Sequence, residues 1–199
     1  MSLKFSIVTP SLNQGKFITD CIESVLNQEY ANFEHIVIDG GSKDQTLQIL
    51  NNFKHLTWIS EKDNGCAEAI NKGFKIASGD ILTWLNSDDY FEPNIFNSIN
   101  NIFQTLSETE MVSGSITIVD ENKNIIFKDK TQYLTKEILV HKNADLVRQP
   151  STFFRRGLLE RVGPLDEKLK LTFDYDLFIK MLSLTKPFYI EDNFAYQRH

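Results

Sequence analysis

The chain has 199 residues, 41% of them hydrophobic, enough to enclose one sizeable core in a domain that folds alone. A net charge of −6 and a pI near 5.2 exclude a surface built to grip a phosphate backbone, because that affinity comes from clustered Lys and Arg, so nucleic acid is not an expected partner. No apolar run approaches the ~20 residues that cross a bilayer, the N-terminus lacks the regions of a signal peptide, and Cys21 and Cys66 stand without CxxC or metal-ligand spacing, which fits free thiols in the cytoplasm.

Phe5 to Thr9 is short, apolar and β-branched and stops at Pro10, which predicts a buried strand feeding the loop Ser11 to Gly15. Phe17, Ile18, Cys21, Ile22, Val25 and Leu26 recur at spacings of three and four, the period of a helix with one apolar face that ends near Asn27 or Gln28. His35 to Asp39 is a second strand, stopped by Gly40-Gly41, and Ser42-Lys43-Asp44 opens a helix through Leu47, Ile49, Leu50 and Phe53. The alternation continues with strand Thr57 to Ser60, helix Ala67 to Ala77 and strand Asp80 to Leu85. Such alternation implies a mostly parallel sheet covered on both faces by right-handed crossovers. Beyond Pro93 a helix carries Ile95, Phe96, Ile99, Ile102 and Phe103, and Met111 to Val119 with Asn124 to Lys128 forms a hairpin. Arg155-Arg156, beside Phe153-Phe154, reads as the flank of a buried strand rather than a basic patch, and Asp174 and Asp176 open an amphipathic helix. The second half is therefore expected to be mixed α+β.

In open α/β sheets ligands bind beyond the carboxyl ends of the strands. Those ends carry Pro10, Ser11 and Asn13, then Asp39 with Gly40-Gly41, then Glu61, Asp63 and Gly65, then Asn86, Ser87, Asp88 and Asp89. Adjacent carboxylates such as Asp88-Asp89 raise each other's proton affinity unless a cation sits beside them, and oxygen ligands suit Mg²⁺ or Mn²⁺. Taken alone, the pair also suits a helix cap with a solvated neighbour, and Asp39-Gly40-Gly41 suits an ordinary turn. A carboxylate at such a position can equally accept a hydrogen bond from a base or a ribose.

From Phe5 to Tyr90 the chain resembles glycosyltransferase family 2, the inverting nucleotide-sugar transferases of the GT-A fold. The resemblance rests on Thr9-Pro10-Ser11-Leu12-Asn13, Ile38-Asp39-Gly40-Gly41-Ser42-Lys43-Asp44, Glu61-Lys62-Asp63-Asn64-Gly65 with Ala69-Ile70-Asn71-Lys72-Gly73, and Leu85-Asn86-Ser87-Asp88-Asp89, in the family's order. It continues more weakly through Gln149 to Phe154 and Phe173 to Leu177. It implies a single GT-A domain over residues 1–199, a Rossmann-like mostly parallel sheet flanked by helices, with residues 1–90 as the nucleotide-sugar half and 91–199 as the acceptor half.

The same resemblance implies roles for individual residues. Pro10, Ser11, Asn13, Asp39, Asp63, Asn71, Asn86 and Asp88 would hold the nucleotide-sugar, a UDP- or GDP-sugar, while Asp89 and His199 would bind Mn²⁺ or Mg²⁺. Asp174 would be the base, with Asp176 second, and Gln149 would lie near the acceptor, whose identity depends on the stretch from Gly114 to Asn143. The implied acceptor is a carbohydrate or glycolipid in cell-surface polysaccharide or glycoconjugate synthesis, met in the cytoplasm or at the inner face of the membrane. The sequence departs from the family at Leu12, where an aromatic residue often faces the base, at Ile70, where Arg often precedes Asn71, and at Phe173, where an acidic residue is usual. The chain ends at Arg198-His199, where relatives place a segment that closes on the diphosphate, so a C-terminal truncation is one expectation. A nucleotidyltransferase would need a Gly-rich phosphate loop, which Ser11 to Gly15 is not, and no GxxxxGK[ST] occurs. The remaining rival is a non-catalytic or truncated nucleotide-sugar-binding domain.

Overall fold

The structure, a computed structural model, describes residues 2–130, 137 and 148–199. Among the described residues nine strands form one sheet. The first four, β1 (Phe5–Ser11), β2 (Phe33–Asp39), β3 (Leu56–Ser60) and β4 (Ile81–Trp84), run parallel in the order β3-β2-β1-β4. The crossovers carry α1 (Ile18–Leu26), α2 (Thr46–Asn52) and α3 (Cys66–Ile76). All seven residues of β1 are buried, as a central parallel strand requires. Gly73 lets α3 lie close against it, since a Cβ there would collide with the Val8 side chain.

Beyond β4 the sheet turns antiparallel through β8 (Thr152–Arg155) to β6 (Met111–Val119). It then passes to β9 (Phe188–Arg198) and ends at β5 (Tyr90–Phe91), with β7 (Ile125–Asp129) paired to β6 as the expected hairpin. The remaining helices are α4 (Ile95–Thr105), α5 (Arg156–Val162) and α6 (Phe173–Leu182). Adjacent strand residues feed opposite faces. Phe5, Ile7 and Phe153 pack with Phe96 and Phe194 on one side; Val8 and Phe154 pack with Phe74, Trp84 and Phe178 on the other. The rings of Phe5 and Phe96 stack at 4.9 Å and those of Trp84 and Phe178 at 5.7 Å, and each fully buried large apolar side chain of this kind stabilises the fold by roughly 1.5–3 kcal/mol.

Two sequence expectations are corrected. The second helix starts at Thr46 rather than Ser42, because the Ser42 amide and hydroxyl are spent on Asp39, and Asp44 accepts from the Thr46 amide (2.9 Å) and the Gly15 amide (2.9 Å), which makes 40–45 a loop. Nor is the sheet covered on both faces throughout: β3 is an edge strand paired only to β2, and Thr57, Trp58 and Ile59 are exposed. The paired arginines do flank a buried strand. Arg155 Nε donates to the Thr109 carbonyl (2.9 Å), and Arg156 Nε donates to the Gly79 carbonyl (2.8 Å). Among the described residues no helix is long and apolar enough to cross a membrane.

Candidate active site

The carboxyl ends of the parallel strands open onto a cleft of about 400 Å³, lined by Pro10, Ser11, Leu12, Asp63, Asn86 and Asp88. The first turn of α3, at Gly65 and Cys66, and Phe173 of α6 close its other wall. Ser11 Oγ is buried and has no hydrogen-bond partner among the described residues, so its hydroxyl is open to a ligand or water in the cleft. Asp63 accepts from the Gly65 amide (3.0 Å), yet burial, with the charges of Glu68 and Asp39, holds its carboxyl above the usual range. Gly40 makes room for it: a Cβ there would stand 2.9 Å from Asp63 Oδ2.

Asp39 is not on the cleft wall. It is fully buried, and its Oδ2 accepts from the Gly41 amide (3.0 Å), the Ser42 amide (2.9 Å) and the Ser60 hydroxyl (2.7 Å), while Oδ1 accepts from the Ser42 hydroxyl. Gly41 takes φ +87°, the left-handed conformation that lets its amide turn back on the carboxylate. Asn13, itself at φ 54°, extends this knot to the first loop: its amide donates to Ser42 Oγ (2.7 Å) and its Oδ1 accepts from the Lys43 amide (2.8 Å). Asp39 and Asn13 thus shape the rim from behind.

The two aspartates of the acidic turn differ. Asp88 faces the cleft, whereas Asp89 is 2% exposed and its Oδ1 accepts from the Arg198 amide (2.9 Å). Burial, and then the charge of Asp88, push the Asp89 carboxyl well above its ordinary value. Among the described residues no group of three or more His, Cys, Asp and Glu side chains is placed to hold a metal. A hard divalent ion needs only one or two carboxylates when phosphate and water complete its shell, and a desolvated carboxylate beside a second one is a setting that a cation relieves. On that chemistry Asp88 with Asp89 fits such an ion.

Asp174 lines a second cavity, of about 540 Å³, together with His199, Arg198, Phe127, Leu171 and the ion-paired Arg148 and Asp129. Burial raises the Asp174 carboxyl, against the hydrogen bond it accepts from the Tyr175 amide (2.8 Å). Asp176 is instead paired with Lys180 at 2.6 Å. Successive residues Phe173 and Asp174 line one cavity each, and the charge of Asp174 reaches Cys66 on the cleft. Cys66, which opens onto the cleft, has its thiol pushed up to about 12 by desolvation against the cleft wall and then by the charges of Asp63, Asp174 and Asp88.

Three residues singled out by the sequence lie elsewhere. Asn71 is committed to the loop after α5, donating to the Leu165 carbonyl (2.9 Å) and accepting from its amide (3.0 Å), away from the cleft. Gln149 is buried and donates to the Trp84 carbonyl (2.5 Å). His199 is on the second cavity rather than the first, its amide bonded to the Val119 carbonyl (3.0 Å). Of the stretch expected to select the acceptor, residues 131–136 and 138–143 lie outside the described residues. Asp20 has no sequence signature of function, since a carboxylate in the first turn of a helix carries no signal of a distant partner.

A mostly parallel sheet with an acidic turn after its fourth strand and a cleft at its strand ends defines a GT-A fold. S. aureus TarS 1–349 in complex with UDP-GlcNAc superposes with a TM-score of 0.81 at 21% identity, over 99% of this chain and 59% of that one; S. aureus TarS 1–349 alone gives 0.78 at 22%, over 98% and 60%. The model of glycosyl transferase family 2 matches residues 6–163, and the chain belongs to that family. An uncharacterised glycosyltransferase of Rickettsia typhi is 30% identical over 194 residues, 92% of this chain and 60% of the relative. A PGL/p-HBAD biosynthesis glycosyltransferase of Mycobacterium bovis is 28% identical over 185 residues, 90% of this chain and 70% of that protein. The chain thus spans about 60% of the length of the Rickettsia relative.

Proposed function

We propose that the protein transfers a sugar, with inversion, from a nucleoside diphosphate to an acceptor hydroxyl, and that the donor occupies the cleft between Ser11, Asp63 and Asp88. The observation that carries this reading is the buried Ser11 hydroxyl without a partner among the described residues, on the same wall as two carboxylates and the N-terminal turn of α3. A helix N-terminus carries a positive dipole end, which suits a diphosphate. The nucleoside lies toward Pro10, Ser11 and Asp63, with Asp39 and Asn13 holding the rim and Asn86 and Asp88 toward ribose and phosphate. UDP is the preferred donor nucleotide, supported by the fold likeness to TarS in its complex with UDP-GlcNAc.

Asp174 takes the proton. The acceptor oxygen attacks the anomeric carbon from the face opposite the diphosphate, its proton passes to the Asp174 carboxylate, and the bond from that carbon to the phosphate oxygen breaks as the nucleoside diphosphate leaves. A carboxyl whose burial raises its proton affinity suits this work better than Asp176, which Lys180 neutralises. Asp88 and Asp89 would hold a Mn²⁺ or Mg²⁺ ion, which as a Lewis acid would offset charge on the leaving diphosphate, while His199, on the second cavity, is not placed beside them. The acceptor is a carbohydrate or glycolipid of cell-surface or glycoconjugate synthesis, reached in the cytoplasm or at the inner membrane face; the named role of the Mycobacterium bovis relative supports glycoconjugate work.

The test is a thermal-shift series with UDP and GDP, each with and without Mn²⁺, followed by UDP-GlcNAc hydrolysis. A metal-enhanced shift with one nucleotide is expected, since a ligand that binds only the native state raises its stability. No shift with either nucleotide would remove the donor-site reading, and a shift without turnover would leave a nucleotide-sugar-binding domain.

A further inference from the structure

We infer that Asp20 and Arg198 form a clamp that sets the position of the Asp88-Asp89 turn, with Arg198 acting as a positioning residue and not as a ligand of the donor diphosphate. The inference rests on the donor-site reading above and adds to it the means by which the acidic turn is held.

The turn has little to hold it locally. Its internal bonds are the Asp89 amide to the Asn86 carbonyl (3.1 Å) and the Asn86 side-chain amide to Asp89 Oδ2 at a long 3.4 Å. Two neighbouring carboxylates repel one another, so without support the turn would open toward water. Support comes from the far end of the chain. The Arg198 amide donates to Asp89 Oδ1 (2.9 Å), and Nη1 of the same residue donates to the Asp88 carbonyl. One residue therefore grips both aspartates, Asp88 by its backbone and Asp89 by its side chain. The Asp88 carboxylate is left to face the cleft.

Arg198 is itself held through its Nη atoms and its guanidinium plane, while its buried Nε has no partner among the described residues. Nη2 pairs with Asp20 Oδ2, and the guanidinium lies over the Phe17 ring (4.7 Å to the centroid) and the Tyr90 ring (5.2 Å). Its side chain is 5% exposed, so its charge needs a nearby counter-ion, and Asp20 of α1 supplies one. Lys123, from the turn between β6 and β7, donates to the other oxygen of Asp20 (2.7 Å) and keeps that carboxylate in place. Tyr90 stacks on Tyr196 at 4.7 Å, which registers β5 against β9 next to the turn. Arg198 is not among the residues that line the donor cleft; it lines the second cavity, with Asp174 and His199.

Asp20 stands apart from the cleft, so it separates positioning from ligation. Binding of UDP and of GDP is measured with and without Mn²⁺ for the wild type, Asp20→Asn, Arg198→Lys and the double variant. With the nucleotide that the wild type binds, each single change is expected to weaken the Mn²⁺-dependent affinity about tenfold and metal-free affinity by less than about twofold, while the double variant is no weaker than the weaker single, as for residues acting through one contact. An equal fall in both affinities would show a general loosening of the fold and would overturn the clamp. Wild-type affinity in Asp20→Asn, or effects that multiply in the double variant, would overturn the clamp. Loss of metal-free affinity in Arg198→Lys alone would make Arg198 a phosphate ligand instead. If Arg198→Lys does not fold, Asp20→Asn decides by itself. A wild type that binds neither nucleotide would instead defeat the donor-site reading on which the clamp depends.

Discussion

The two ends of the parallel sheet treat their carboxylates in opposite ways. At the amino end, Glu34 of β2 accepts from the Ser6 hydroxyl (2.5 Å), the Lys4 ammonium (2.9 Å) and the Ser78 amide (2.6 Å). Burial opposes its ionisation, but those donors win and hold the carboxyl down at about 2. Asp80 nearby accepts from the Lys4 amide (2.8 Å). At the carboxyl end, burial instead raises Asp63, Asp89 and Asp174, because the protein supplies too few donors to offset the loss of water. Satisfied carboxylates stabilise the fold, whereas under-satisfied ones cost stability and wait for a ligand or a proton. Asp39 is the instructive exception: it sits at the ligand end but is saturated by its own loop, which assigns it to building the rim.

The contrast can be broken at either end. The largest expected effect is at the carboxyl end, where Asp174→Asn removes the proposed base and lowers transfer by roughly 10²–10⁴-fold, with the donor-induced thermal shift unchanged. A variant that keeps wild-type turnover would move the base to Asp176. The pH profile sharpens this: since Asp174 must be ionised to accept a proton and burial raises its carboxyl, the acid limb of transfer should fall above the ordinary carboxylate range, and a limb near pH 4 would argue against it. Next, Asp39→Ala strands the Gly41 and Ser42 amides and the Ser60 hydroxyl, for a loss of about 2–4 kcal/mol in denaturant unfolding. The smallest effect is at the amino end. Because Glu34 has a folded pKa below its unfolded one, its contribution is present above pH 4.5 and lost as pH falls toward 2. Glu34→Gln should therefore cost about 1–2 kcal/mol at pH 7, after allowance for solvent screening, and the gap from wild type should narrow below pH 4.5 and close only as pH falls through about 2. A gap that persists there would mean that shape and not charge supports the amino end.

Much of this molecule is legible in the residues alone. The period of three and four in Phe17 to Leu26 and the apolar runs of β1, β2 and β4 specify elements whose signal is contained within a dozen positions. Their alternation specifies a parallel sheet, and the strand-end rule then places Ser11, Asp63 and Asp88 on one cleft. The segment 40–45 has the sequence of a helix start, because Ser42 and Asp44 suit a helix cap equally well. Only the partners Asp39 and Gly15 reveal that their capping groups are used elsewhere.

What tertiary structure alone decided lies in contacts between residues far apart in the chain. Arg198 meets Asp20 across 178 positions and Asp88 across 110, and no local pattern encodes either meeting. The inward turn of Asp89, the commitment of Asn71 to Leu165 and the exposed edge at β3 follow from which strands and helices become neighbours. Sequence periodicity tells which face of an element is apolar; the strand order that puts β9 between β6 and β5 tells what that face meets, and the acidic turn depends on the second.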